Sequence, residues 1–172
     1  GAGNDTLQGG AGKDTLAGGA GEDRLNGGGS EADTYVFEKG HGRDVVSDYA
    51  YQADHTDTLR FNGAKFAEAV FTRSDNNLVI KAYGGEDAVT VEGYFNGYSN
   101  RYYDFAFDDK TVTAKDMAGM KVEGVGSDGN ENLYGWDTAD VLDGGKGDDN
   151  LYGYNGDDLL KGGEGDDSLY GG

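Results

Sequence analysis

Leucine stands at 133, 142, 151, 160 and 169, a strict nine-residue step. Two residues before each sits an acid: Glu131, Asp140, Asp149, Asp158 and Asp167. The phrases that carry them begin at Gly126, Gly135, Gly144, Gly153 and Gly162, and a sixth starts at Gly171. The start of the chain keeps the same time. "GNDTLQ", "GKDTLA" and "GEDRLN" set Asp5, Asp14 and Asp23 nine apart, followed by Leu7, Leu16 and Leu25. A fourth copy, "GGSEADTYV" from Gly28, slips by one residue. It brings Asp33 and Tyr35 into the Asp and Leu places, and Glu31 replaces a turn glycine. A fixed short period restricts a chain to stacked, self-similar layers.

The composition of one phrase says what a layer looks like. Six residues with two or three glycines turn sharply, because glycine accepts positive φ. The remaining three alternate faces as a short strand, and the apolar eighth position points inward. One phrase is a turn plus a strand, so two phrases complete one coil of a flattened spiral. Turns that stack directly are then eighteen residues apart. Each turn exposes carbonyl oxygens and one carboxylate. Two stacked turns supply about six to eight oxygens, the complement a calcium ion takes; magnesium demands a stricter octahedron.

The predicted carboxylate pairs are Asp5 with Asp23, Asp14 with Asp33, Glu131 with Asp149, Asp140 with Asp158, and Asp149 with Asp167. Backbone oxygens are expected from the glycines at positions two and four: Gly10, Gly12, Gly19, Gly21, Gly145, Gly147, Gly156, Gly163 and Gly165. The expected load is about five or six calcium ions.

Charge agrees with a protein that collects cations. The chain has 33 acidic against 14 basic side chains, a net charge of −19. That balance argues against nucleic acid, whose phosphates need Lys and Arg. Cysteine is absent, so disulfides and thiolate metal sites are excluded. No run of 18 apolar residues exists, so no membrane-spanning helix is expected. The chain opens in mid-phrase without a signal peptide and reads as a piece of something longer.

"GGAGKDTLA", "GGAGEDRLN", "GGKGDDNLY" and "GGEGDDSLY" resemble the RTX (repeat-in-toxin) family, whose nonapeptide is G-G-x-G-x-D-x-(apolar)-x. The resemblance implies a calcium-binding parallel β-roll, an all-β fold. It also implies type I secretion from a Gram-negative bacterium, with unfolded passage and folding outside. The expected location is extracellular or on the cell surface. Trp136 and Tyr154 in glycine places, Thr138 in another, and Glu131 in an Asp place depart from the pattern. Weak or absent calcium binding is expected at those turns.

Residues 34–125 are not glycine repeats, which divides the chain into a first roll block (1–33), a middle segment (34–125) and a second block (126–172). "GHGRDVVS" reads as a degenerate turn with Asp44 in the carboxylate place, capping the turn of Asp23. His41 and His55 read as turn histidines rather than catalytic groups. "DTLRF", "AVFTRS", "NLVIKAY", "DAVTVEGYF", "RYYDFAF" and "KTVT" carry strand signals, and "AKDMAGM" one or two helical turns. A small antiparallel sheet is predicted. Its expected core is Phe61, Phe66, Val70, Leu78, Ile80, Val89, Val91, Phe95, Phe105 and Phe107. Such a segment resembles the cap that follows RTX blocks, and open solenoid ends need covering.

The "DTYVFEKGHGRDVV" bridge and the split repeats resemble large RTX toxins and the iron-regulated Frp-type RTX proteins. The sequence therefore predicts a calcium-driven folding module of a secreted, toxin-like virulence protein. Its expected partners are calcium, the type I secretion machinery and a host-cell surface. The alternative is an adhesive module in which aromatics such as Tyr98 and Tyr102 contact a glycan or host protein. No G-x-S-x-G, H-E-x-x-H or paired histidines occur, so an enzyme is not expected. Tyr134, Tyr152 and Tyr170 recur every eighteen residues and should form a ladder on one outer face.

Overall fold

A computed structural model describes residues 1–29, 31–48, 55–74, 76–95, 103–117, 119–120 and 123–172. The chain forms two units: Gly1–Phe71 with Asn76–Ala114, and Thr72–Asp75 with Lys115–Gly172.

In the first unit the glycine turns deliver short strands: β1 (Thr6–Gln8), β2 (Thr15–Leu16) and β3 (Arg24–Asn26). The apolar segments that follow give others: β4 (Thr34–Glu38), β5 (Arg43–Val46), β6 (Asp57–Asn62), β7 (Val70–Ser74), which crosses the unit boundary after Phe71, β8 (Asn77–Lys81), β9 (Ala88–Val91), β10 (Tyr103–Ala106) and β11 (Thr111–Val112). Two sheets result, with orders β1-β3-β5-β9-β8-β7 and β11-β10-β6-β4-β2. Alternate strands join opposite sheets, as a flattened spiral requires. Leu7 pairs with Leu25, and Leu25 with Val46. In the other sheet Leu16 pairs with Tyr35, Tyr35 with Leu59, and Leu59 with Phe105. The inward column runs from Leu16 through fully buried Tyr35 and Leu59 to Phe105.

The middle segment differs from the predicted antiparallel sheet. β6 pairs parallel with β4, β10 parallel with β6, and β9 parallel with β5. Antiparallel pairing occurs where a short turn forces it, between β8 and β9 and between β10 and β11. The reason is continuity: β4 and β5 leave parallel edges, and the next apolar strands extend the same layers. The expected core is buried except at two places. Phe66 is half-buried, and Val70 is 55% exposed. Side chains alternate across a strand, so β7 can turn either Val70 or Phe71 toward the apolar side. The ring wins, packing 5.6 Å from Phe105 and 6.2 Å from Phe107 between centroids.

The second unit contains one helical turn, α1 (Ala114–Met117), which straddles the unit boundary. It is followed by β12 (Glu123–Val125), β13 (Asn132–Tyr134), β14 (Val141–Lys146), β15 (Asn150–Tyr152), β16 (Leu159–Glu164) and β17 (Ser168–Tyr170). Sheets β12-β14-β16 and β13-β15-β17 are wholly parallel. Every pairing steps by eighteen: Leu133 with Leu151, Leu151 with Leu169, and Leu142 with Leu160. Leu142 and Leu151 are fully buried, whereas Leu169 at the last layer is 44% exposed. The tyrosine ladder forms as predicted. Tyr134 and Tyr152 stack at 5.2 Å, and Tyr152 and Tyr170 at 4.9 Å, within 13° of parallel.

Candidate metal centres

The turns place their carboxylates in columns. Asp23 Oδ1 accepts the Asp5 amide at 2.7 Å, and Asp44 Oδ1 accepts the Asp23 amide at 2.9 Å. On the opposite edge, Asp33 accepts from Asp14 and Asp57 from Asp33, both at 2.8 Å. In the second unit Asp149 accepts from Glu131, Asp167 from Asp149 and Asp158 from Asp140, at 2.8–3.0 Å. Each carboxylate pair predicted from the sequence is thus joined by one oxygen to a backbone amide. Asp44 also stands in its predicted column.

The second oxygen behaves differently. Oδ2 of Asp14, Asp23, Asp33, Asp149 and Asp158 is buried with no hydrogen-bond partner. An ionised oxygen shut away from water and from every proton donor is costly. Burial holds the Asp33 carboxyl above its ordinary range, against the Asp14 amide bond. Burial likewise pushes Asp57 up to about 6, opposed by the Asp33 amide.

A shaped space adjoins these oxygens. The first glycine of a phrase lies over the carboxylate of its own turn. A Cβ at Gly9 would come 2.5 Å from Asp14 Oδ2 and 2.7 Å from the Gly27 carbonyl oxygen. A Cβ at Gly18, Gly27, Gly144, Gly153 or Gly162 would overlap Oδ2 of Asp23, Asp33, Asp149, Asp158 or Asp167. At Gly144 and Gly153 the same space also meets the carbonyl of Gly162 or Gly171 from the next stacked turn. A bare backbone, an orphaned carboxylate oxygen and a stacked carbonyl are a hard-oxygen donor set that suits calcium. Among the described residues no three His, Cys, Asp or Glu side chains converge as a metal cluster, so backbone oxygen must supply much of any coordination.

The glycines at positions two and four form the bends and stack on one another between layers. Carbonyls of Gly10, Gly21, Gly145 and Gly147 point at Gly29, Gly42, Gly163 and Gly165 of the next stacked turn. Gly19 and Gly156 likewise receive the carbonyls of Gly1 and Thr138. Their positive φ makes the bend, as at Gly145 (95°) and Gly147 (104°). The carbonyls of the first-position glycines Gly27, Gly162 and Gly171 share the space of Asp14, Asp149 and Asp158 Oδ2. Gly12 has open space around it, and its amide reaches Glu31 Oε2 at 3.4 Å. First-position glycines have ordinary φ, so positive-φ reasoning overlooks them; their close approach to a carboxylate five or six residues on is the missing signal.

Three predicted carboxylates already have donors for the second oxygen. His41 Nδ1 lies 2.9 Å from Asp44 Oδ2, buried and packed against Phe37 and Tyr83. In that turn Gly40 and Gly42 take the two positive-φ positions, so Lys39 stands where other turns have a bare glycine. The Trp136 amide donates to Asp140 Oδ2 at 2.5 Å. Ser127 donates to Glu131 through its hydroxyl and amide, holding that carboxyl below its usual range. Asp5 is half-buried at the first layer, with the terminal amine 3.8 Å away.

Asp57 was not among the predicted ligands. "DTL" at 57–59 repeats the Asp-Thr-Leu of residues 5–7 and 14–16, but the interval from Asp33 has grown to 24 residues. Tyr98 and Tyr102 lie outside the described residues. The ladder tyrosines spend ring faces on one another, which leaves mainly edges outward.

Comparison with known proteins agrees with the repeat geometry. The family described as "RTX calcium-binding nonapeptide repeat (4 copies)" matches residues 1–30, 125–160 and 143–172. The iron-regulated protein FrpA of Neisseria meningitidis serogroup C is 43% identical over 117 residues, covering 65% of this chain and 10% of that protein. The chain thus spans about a tenth of that relative's length. Among solved structures, the extracellular lipase LipA from Serratia marcescens matches over 98% of this chain and 26% of its own, with 19% identity and a TM-score of 0.36. The parallel roll itself is established by the strand pairing. Residues 1–30 and 125–172 thus carry RTX calcium-binding nonapeptide repeats, and the chain is similar to the iron-regulated protein FrpA.

Proposed function

We propose that this chain is a non-catalytic, calcium-driven folding module of a secreted RTX protein. The observation that carries the reading is the set of buried Oδ2 atoms without donors, each facing bare glycine backbone. A divalent cation at each would neutralise the carboxylate columns. Asp14, Asp23, Asp33, Asp149, Asp158 and Asp167 would hold the ions, with carbonyls of stacked first-position glycines. Bound calcium supplies charge neutralisation and an oxygen-rich crosslink between layers; the chain supplies the aim.

Without it, stacked carboxylates repel and glycine-rich turns favour disorder. Cation binding free energy then becomes folding free energy. Extracellular calcium modules commonly dissociate at about 10⁻⁴ to 10⁻³ M, so such sites would fill outside a cell and stay empty in cytoplasm. This logic fits export of an unfolded chain by type I secretion from a Gram-negative bacterium. We extend the reading to a toxin-like virulence protein as the parent, on the RTX repeats themselves. A far-ultraviolet circular dichroism titration tests the reading. Strand signal should appear between chelator and millimolar calcium; an unchanged spectrum refutes it.

A further inference from the structure

The column of repeat carboxylates continues past the nonapeptides, and its next layer is chemically different. Leu25 pairs with Val46, and the Ser47 amide donates to the Leu25 carbonyl at 3.0 Å. Two residues on, that register sets Asp48 against Gly27. One layer earlier, Leu7 pairs with Leu25, which sets Gly27 against Gly9. There the Gly27 carbonyl meets Asp14 Oδ2 over bare Gly9. In the next layer the corresponding space lies over bare Gly27 and holds Asp33 Oδ2, which is buried and has no partner.

Asp48 is 6% exposed, and its own carbonyl accepts the Tyr103 hydroxyl at 3.1 Å. Its side chain turns toward Gly27 through Tyr35. The Tyr35 hydroxyl donates to Asp48 Oδ2 at 2.6 Å and accepts the Gly27 amide at 2.8 Å. It also lies 2.7 Å from where a Gly27 Cβ would stand, the place that overlaps Asp33 Oδ2. Asp57 ends the column, with His55 Nε2 3.8 Å from its Oδ1. Asp33 Oδ2, without a partner, therefore faces the bare Gly27 backbone beside the Tyr35 hydroxyl that holds Asp48. Charge of Asp48 raises both Asp33 and Asp57, after the larger effect of burial.

We infer that Asp33 and Asp48 form a divalent-cation site of a second type, in which a side-chain carboxylate replaces the glycine carbonyl of the repeats. The inference rests on the calcium reading above and extends it beyond residues 1–30, where the first repeat match ends. A second carboxylate raises the ligand charge, which tightens calcium sites. This site should therefore fill before the repeats and seed the first unit.

The test uses the whole chain, calcium counted by equilibrium dialysis, and terbium(III) as a luminescent probe. Asp48→Asn should lose one bound ion or weaken the tightest class at least tenfold. The Tyr35→Phe, Tyr103→Phe double variant should lose several-fold of the tyrosine-sensitised emission from the first terbium equivalent. Glu86→Gln, an exposed carboxylate paired with Arg43, should leave that emission intact. Equal ion number and affinity in Asp48→Asn overturns the inference. If Asp48→Asn does not fold, unchanged first-equivalent emission in the double variant overturns it. Wild-type chain that binds no calcium defeats instead the broader reading.

Discussion

The Asp14 amide donates to Asp33 Oδ1 at 2.8 Å, while Asp33 Oδ2, on the same carboxylate, has no donor. One oxygen sets the layer spacing and the other is the one proposed to take a cation. The same division recurs at Asp149 and Asp158.

Asp149→Asn separates the two roles. The asparagine oxygen can keep the Glu131 amide, and its NH₂ replaces Oδ2 beside the Gly162 carbonyl. In chelator the variant should be more stable by about 1 kcal/mol, because repulsion and the orphaned oxygen are both removed. In 10 mM calcium it should forfeit about 1.4–2.7 kcal/mol, the linkage free energy of one site at the affinities of such modules. Urea denaturation with and without calcium measures both. A loss of equal size in the two conditions refutes the cation role of Asp149.

Two glycines of the second unit make a controlled pair. A Cβ at Gly153 would overlap Asp158 Oδ2 and come 2.7 Å from the Gly171 carbonyl. A Cβ at Gly171 meets nothing within 4 Å, and its φ is ordinary. Gly153→Ala should cost about 1–3 kcal/mol and one calcium ion. Gly171→Ala should stay within about 0.5 kcal/mol of wild type. Thermal unfolding in calcium decides, and equal costs would mean that the space over Asp158 is not a constrained cradle.

The ladder predicts a graded response. Tyr152 stacks on both Tyr134 and Tyr170, whereas Tyr170 stacks on Tyr152 and is 54% exposed. Aromatic pairs contribute about 0.5–1.5 kcal/mol beyond burial. Tyr152→Ala should therefore cost roughly twice as much as Tyr170→Ala by denaturant midpoint. If Tyr170→Ala costs as much, ring stacking is not what the ladder contributes.

The sequence made the roll legible because a strict period leaves one parity for every side chain. Leu142 and Leu151 are buried where the eighth position demands. Asp33 is in its column although its phrase slips by one residue, since the slip is absorbed in the turn and not in the strand. Pairing direction in the middle segment was not legible. β6 and β10 carry strand signals that suit either direction, and only the parallel edge left by β4 selects one. First-position glycines were hidden for another reason: a close approach in space leaves no mark on local φ. Asp57 shows the limit of counting, because its "DTL" was visible while its interval was not.

The turn of Asp44 tests whether a donor can stand in for an ion. His41 Nδ1 holds the oxygen that is orphaned at Asp14, Asp23 and Asp33, and Lys39 places a side chain where those turns have bare glycine. His41→Ala should leave Asp44 Oδ2 unpaired and a cavity beside Phe37 and Tyr83, costing about 2–4 kcal/mol. Calcium should not repair this loss, because Lys39 carries a Cβ at the sequence position where Gly18 and Gly27 leave bare backbone over Oδ2. Adding Lys39→Gly removes that Cβ. The double variant should remain weak in chelator, recover stability in millimolar calcium and bind one ion more than wild type. Equilibrium dialysis and calcium-dependent thermal melts read the two effects separately. Full recovery of the single variant by calcium would show instead that His41 shields an intact site, and that Lys39 leaves room for an ion.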